Sequence, residues 1–249
     1  KKDSLMGNIS LSGISNGKGL NLNARLAQTW KNGWAIRTNG SYTKTGDLSA
    51  PHYGLMNTGQ EASSFTFGIQ KKGLKGGFSA DYYLTNKMIG ILRSSHIGSP
   101  RDFYEAINSP KPFYVRDFSY DIDNPKQDIE HHIAKVSGFH RFENFGKLTA
   151  TYSFQYNHRK EYDIRRTVEL SKIAPLDLEL STHDLTINDL IERPKWSLET
   201  GINAGHQNNY SNPEAEARLL VPNYDRYYAG IFSVFKYKVQ PSLDLEAGA

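Results

Sequence analysis

Hydrophobic and polar residues alternate one for one along most of the 249-residue chain. Residues 147–158 show it most clearly. Leu148, Ala150, Tyr152, Phe154 and Tyr156 fall on one face, and Thr149, Thr151, Ser153, Gln155 and Asn157 on the other. A period of two marks a strand with one apolar and one polar face. The alternation recurs in residues 20–26, 34–39 and 196–204, and Phe65, Phe67, Ile69 and then Phe78, Ala80, Tyr82, Leu84 continue it. The pattern predicts about eleven strands, starting near Leu5, Gly19, Gly33, Ala62, Gly77, Gln127, Lys147, Leu176, Lys195, Arg226 and Ser242. Two of them fit less cleanly. The phase slips between Leu180 and Leu185, which predicts a β-bulge in residues 176–190. In residues 227–238 both faces carry aromatics, and the pattern does not say which face is the polar one.

The connections carry a second regularity. Short turns at residues 16–18, 31–33, 73–76, 143–146, 192–194 and 240–241 are interleaved with long segments at 47–60, 90–126, 163–175 and 211–224. After the first turn, every long loop falls at one end of the sheet. Outer-membrane barrels are built this way, with short periplasmic turns and longer extracellular loops. A soluble β-sandwich has regularly spaced strands but no reason to segregate loop length. With short turns on the periplasmic side, Trp30, Trp34 and Trp196 gather at one rim. Tyr42, Tyr156, Tyr162, Tyr210, Tyr224, Tyr227 and Tyr228 gather at the other, as two interfacial girdles would. Inside the longest loop, Ser99 followed by Pro100 and early acidic residues reads as a helix start, ended by Ser109-Pro110-Lys111-Pro112.

Composition sharpens this picture. Aromatics make up 12% of the residues, yet the mean hydropathy is −0.60. No stretch approaches the roughly 18 apolar residues of a spanning helix, whereas a transmembrane barrel keeps average hydropathy low because lumen and lipid faces alternate. The absence of cysteine removes disulfides and thiolate metal sites. A net charge of +4 is spread along the chain, without the basic stripe of a nucleic-acid binder. Lys1-Lys2-Asp3 is followed by no signal-peptide core, and the final residues stop inside an apparent strand, so the expectation is a segment of a longer precursor.

Several segments, arriving in order, resemble the barrel of TonB-dependent receptors of the Bacteroidetes type. They are SHIGSPRDFYEAI (95–107), RDFSYDIDNPKQDIEHHIAK (116–135), GKLTATYSFQYNHRKEYDIRR (146–166), LDLELSTHDL (176–185) and LLVPNYDRY (219–227). The resemblance covers most of the chain. It implies an antiparallel transmembrane β-barrel of about 22 strands with a plugged lumen, which imports a scarce nutrient into a bacterium with energy relayed from the inner membrane. Residues 1–249 would then be a partial barrel domain lacking the plug, the TonB-contacting segment and the remaining strands. The implied partners are outer-membrane lipid, the TonB complex through the absent N-terminal region, a surface-exposed lipoprotein and a small nutrient ligand: iron chelate, vitamin, glycan or peptide.

Candidate chemistry is sparse. His131 and His132 beside Glu130 suggest a metal site, but adjacent strand residues face opposite ways and cannot chelate one ion. Asp121-x-Asp123-Asn124 starts like a calcium loop but has Lys126 and His132 where Gly and an acid belong. No nucleophile elbow or phosphate loop occurs. His52, His96, Asp102, His158, Asp163 and His183 are the residues a rim-located hydrolase would use. Catalytic residues, metal ligands and cofactors are therefore not expected, and substrate contacts are unassigned. Asn21, Asn23, Arg25, Arg37, Asn39, Gln155 and Asn157 are expected to line the lumen, and the loops at 90–126 and 163–175 to carry recognition. The rival readings are a smaller autonomous barrel, either a passive porin or a rim hydrolase, and a soluble carbohydrate-binding sandwich.

Overall fold

The computed structural model describes residues 3–95, 97–143, 145–165, 167–215 and 221–249. Thirteen strands follow in chain order: β1 (Ser4–Ile14), β2 (Gly19–Thr29), β3 (Trp34–Thr45), β4 (Leu48–Ala50), β5 (Tyr53–Leu55), β6 (Gln60–Lys72), β7 (Gly76–Gly90), β8 (Lys126–Phe142), β9 (Gly146–Tyr162), β10 (Leu176–Glu192), β11 (Trp196–Ser211), β12 (Tyr224–Gln240) and β13 (Leu243–Gly248). Eleven of them form one antiparallel meander, each strand paired with the next; β4 and β5 make a separate two-stranded hairpin inside the loop at 46–59. Strand β1 pairs only with β2, and β13 only with β12, so the described sheet is open at both ends.

Register assigns every strand residue to a face, because directly opposed residues in an antiparallel ladder share a side. One face carries Leu5, Ile9, Leu22, Leu26, Ile36, Phe67, Ile69, Tyr82, Val136, Tyr152, Leu185, Ile202, Ile231 and Phe235, linked by pairs such as Ile36↔Ile69, Ile69↔Ala80, Val136↔Tyr152 and Ile202↔Ile231. The expected lumen residues Asn21, Asn23, Arg25, Arg37, Asn39, Gln155 and Asn157 all fall on the opposite face. For β12, the register settles what alternation left open: Tyr227, Ala229, Ile231, Ser233, Phe235 and Tyr237 lie on the apolar side, Arg226, Tyr228, Phe232 and Lys236 on the polar side.

The apolar face is bare. Ile9 is 78% exposed, Ile231 84% and Leu5 67%, while the only buried hydrophobic residues among those described are Ala174 and Ala215. A sandwich would bury one face of each sheet against the other. Among the described residues no second layer packs here, and their core is instead a network of polar contacts at the long-loop end.

The polar face is knit by hydrogen bonds between neighbouring strands. Arg37 pairs with Asp81 at 2.5 Å, Asn21 donates to Thr43, Ser41 meets Ser64, and Asn188 donates to Glu199. Gly68 makes room for the first pair: a Cβ there would lie 2.3 Å from Asp81 Oδ1 and 2.7 Å from Arg37 Nε. Gly205 does the same for Tyr228, whose ring would meet such a Cβ at 2.2 Å and whose hydroxyl donates to Asp184.

Three sequence expectations are corrected. First, β10 contains no bulge: its ladder with β9 runs unbroken from Leu176↔Glu161 to Leu190↔Lys147, and that with β11 from Leu178↔Ser211 to Glu192↔Ser197. The slip reflects a change in which face is apolar. Leu176, Leu178 and Leu180 sit on the polar side of the sheet, opposite Asp177, Glu179 and Ser181, whereas further down Leu185 and Ile187 sit on the apolar side. Second, Tyr224 and Tyr228 of the expected tyrosine girdle face the polar side, while Tyr42, Tyr156, Tyr162, Tyr210 and Tyr227 face the apolar side. Third, the loop at 47–60, in which no strand is predicted, holds the β4–β5 hairpin.

Spacing along the apolar face defines a band. Trp196 and Tyr237 are paired at its short-turn edge. Ten residues further along each strand, His206 and Tyr227 are paired and stacked, with ring centroids 4.5 Å apart. At about 3.3 Å per residue and a strand tilt near 40°, ten residues rise roughly 25 Å, the height of the apolar belt of an outer-membrane barrel. Strands of 17 residues, such as β8, β9, β10 and β12, continue well past the belt at the long-loop end. That is where the faces exchange character.

Candidate functional site

The short turns line one edge of the sheet and tie to one another: Lys31 N–H donates to Asp3, Lys72 N–H to the Gly33 carbonyl, Arg141 N–H to the Lys75 carbonyl, and Lys238 N–H to the Lys195 carbonyl. Gly33, with φ of 90°, closes the turn between Trp30 and Trp34, a conformation that favours glycine. Just inside this edge the polar face has a cavity of about 270 Å³, lined by Gln70, Ser79, Ser137, Phe139, Arg141 and Lys147 among others.

The opposite end is the more elaborate and is the candidate recognition site. At its centre Asp47, at the exit of β3, is 1% exposed, and Asn57, on the way into β6, is fully buried. Arg116, from the longest loop, clamps Asp47 with two contacts, Nε to Oδ2 at 2.5 Å and Nη2 to Oδ1 at 3.3 Å; it also reaches Asp123 Oδ2 at 2.8 Å and the Asp121 carbonyl at 2.9 Å. Asp47 accepts further bonds from the N–H groups of Asn57 and Thr58. The carboxylates around Arg116, Asp47 foremost, push its pKa upward from an already high value, so the guanidinium is a permanent cation. Asn57 takes the left-handed conformation, φ 66°, that asparagine tolerates better than most residues. Its Nδ2 donates to the carbonyls of Ile91 and Pro125, and its Oδ1 accepts from Asp123 N–H. Both ends and the second half of the longest loop are thereby fixed to the β4–β5 hairpin.

The remaining part of that loop is a closed excursion. Ser94 Oγ donates to the Tyr114 carbonyl and accepts from Tyr114 N–H, and the Arg93 guanidinium lies 4.6 Å from the Tyr114 ring centre. Above this neck stands the expected helix, α1 (Pro100–Asn108), with Ser99 as N-cap accepting from Asp102 N–H and Ser109 closing its C-terminus. Its Phe103, Tyr104 and Ile107 are exposed, as are Phe113 and Tyr114 below it.

The two loops expected to carry recognition, at 90–126 and 163–175, are brought together by Asn124, whose Nδ2 donates to the carbonyls of Asp163 and Ser171. The next loop joins through Asn212, which bonds to the backbone and side chain of Asp177. Even the first turn is drawn in, through Tyr120 Oη donating to the Lys18 carbonyl and Lys18 Nζ lying 4.2 Å from the Phe118 ring centre.

The residues considered for metal or hydrolytic chemistry do not assemble. His131 faces the polar side beside Asn157, and His132 the apolar side between Tyr82 and Glu130. Asp123 is bound by Arg116, Asp121 by Ser119, and Asn124 by the neighbouring loop, so the acid-rich segment 121–124 is committed to holding the loop. His158 bonds Asp177, His183 bonds Tyr152 and stacks on His206, Asp102 lies in the first turn of α1 with its backbone N–H donated to Ser99, Asp163 accepts from Ile164 N–H, and His52 lies in the turn of the β4–β5 hairpin. His96, Asn144 and Arg166, together with Leu219 and Leu220 of the LLVPNYDRY segment, lie outside the described residues. Among the described residues no three His, Asp or Glu side chains are grouped as metal ligands would be. Sequence reasoning missed the cluster of Asp47, Asn57 and Arg116. Its only sequence signal was an aspartate and an asparagine in a segment rich in turn residues, and nothing tied them to an arginine almost 70 positions away.

No protein-family model matches the sequence, and no curated protein matches it. Among solved structures, the chain is similar over its whole length to the siderophore receptor PiuA from Acinetobacter baumannii, with a TM-score of 0.57 and 14% sequence identity. The chain spans 42% of that receptor's length. At that identity the likeness is one of fold.

Proposed function

We propose that the chain forms about half of an outer-membrane active transporter of the TonB-dependent type, a barrel of roughly 22 strands closed by strands beyond those described. The observation that carries this reading is the bare apolar face of a single-layered sheet, bounded by aromatic rows about 25 Å apart. Such a face is stable against lipid and against little else, and the open ends of the sheet must be paired in a bilayer because unpaired backbone groups there are untenable. The polar face then lines the lumen, where a plug domain hydrogen-bonds to it, and the tied loops form the extracellular mouth that captures a small nutrient. The similarity to a siderophore receptor is compatible with an iron chelate without selecting it over a vitamin, glycan or peptide, because one fold serves many ligands. A surface lipoprotein covering the mouth and a TonB complex acting through a plug belong to the same proposal.

We infer binding and transport rather than catalysis; His158 and His183 bond to separate partners, Asp177 and Tyr152. The test is nutrient uptake by cells carrying or lacking the full-length gene. Uptake should require the protein and collapse when a protonophore dissipates the inner-membrane gradient. Uptake indifferent to the protonophore would point to a passive porin, and absence of the protein from outer-membrane fractions would sink the reading.

A further inference from the structure

Above the belt, on the same side of the sheet as the bare apolar face, lies a trough of about 410 Å³ spanning five strands. Its floor is a cross-strand row set by register: Glu61↔Met88, Met88↔Asp128 and Asp128↔Lys160. Tyr42 and Tyr162 form part of its walls, and Glu130 and His158 sit one row nearer the belt. Glu130 is two residues past His132 on β8, and the register carries the His132 row through Tyr156 and Ser181 to Asn208, two residues beyond the His206 row that bounds the belt. The trough therefore occupies the headgroup layer of the outer leaflet.

Its chemistry narrows the occupant. Asp128, with Glu61 held by Lys44 and Glu130 held by His132, disfavours a bare anion, while Lys160, with Lys126 beside the floor residue Met88 and 5.2 Å from the Tyr162 ring centre, disfavours a bare cation. The lining is too polar for an acyl chain. Asp128 Oδ1 is shielded from solvent and has no hydrogen-bond partner, so a turn of the carboxylate toward the trough would give it a donor there. Acids, lysines and phenol rings side by side fit a molecule that carries hydroxyl or amine donors, a phosphate and flat sugar faces. We propose that this trough binds the phosphorylated amino-sugar headgroup of an outer-leaflet glycolipid, whose acyl chains lie down the apolar face beneath it. The inference rests on the outer-membrane placement of the preceding subsection.

The experiment uses the full-length protein, delipidated in mild detergent, with a phosphorylated glucosamine-disaccharide glycolipid as probe and phosphatidylethanolamine as competitor, read by native mass spectrometry. The wild type should bind the glycolipid at least about tenfold more tightly than the phospholipid. Asp128→Asn combined with Lys160→Gln should erase that preference, as should Glu130→Gln alone in large part. Asp189→Asn, on the same face but close to the short turns, should keep it. Equal affinity of the wild type for both lipids overturns the proposal, as does a preference that survives in both trough variants. Fractionation separates the two failures: a protein found in the outer membrane without lipid preference refutes the trough alone, and one absent from that membrane refutes the placement and the trough together.

Discussion

Single residues at the mouth hold far more structure than their number implies. Arg116 and Asp47 form an ion pair with side-chain exposures of 20% and 2%. Removing one member of a buried pair leaves the other uncompensated and costs about 3–5 kcal/mol. Asp47→Asn should therefore speed hydrogen exchange at the Asp123 and Asn57 amides by about 100-fold or more, with the strand amides of β8 and β9 unchanged; Arg116→Lys, which keeps the charge but loses the two-pronged contact, should fall between. Unaltered exchange at Asp123 in the asparagine variant would show that the pair does not hold the loop. A second residue-scale test uses the glycine under Tyr228. Gly205→Ala should destabilise the folded barrel by about 1–3 kcal/mol through overpacking. Adding Tyr228→Ala should make the loss less than additive in denaturant unfolding, since the two positions touch.

Among the elements, adjacent positions on one strand have opposite tolerances. Ile202 lies on the apolar face midway between the Trp196 and His206 rows, and Asn203 on the polar face. Ile202→Lys should cost about 2–4 kcal/mol in lipid-based unfolding, and Asn203→Lys well under half of that; equal penalties would mean that the faces are misassigned. The strands themselves were legible from alternation, with starts such as Gly19, Leu176 and Lys195 at or within two residues of those observed, because a period of two imprints directly on the sequence. The apparent bulge in β10 was misread for a physical reason. Alternation reports which face is apolar, and in the proposed membrane placement no lipid constrains it past the belt, so Leu176, Leu178 and Leu180 keep the ladder while changing sides. The β4–β5 hairpin escaped because three-residue strands carry too short a pattern. The cluster around Arg116 escaped because nothing local links residues 47, 57 and 116. Tyr224 and Tyr228 were assigned to a rim but not to a side, as the rim follows from loop parity and the side only from register.

At the scale of the whole molecule, all three tryptophans stand at one rim: Trp30 and Trp34 are hydrogen-bonded across one turn and Trp196 opens the strand after another. In vesicles, brominated lipids should quench the full-length protein most strongly when the bromines lie near the interface and least at the bilayer centre. Strongest quenching at the centre would contradict the proposed belt. The open edges at β1 and β13 give a further expectation. Residues 1–249 expressed alone should fail to give the heat-resistant compact band of a closed barrel on electrophoresis, whereas the full-length chain should give it. A compact band from the fragment would refute closure by further strands.

The neck at Ser94 and Tyr114 has a consequence for how such a protein changes over generations. Because the excursion above it begins and ends at one point and the wall below is fastened by other residues, the tip is an exchangeable cartridge. Under the proposed outer-membrane placement, antibodies and bacteriophages that grip α1 would be evaded by rewriting some twenty residues between Ser94 and Tyr114, while the sheet below goes unaltered.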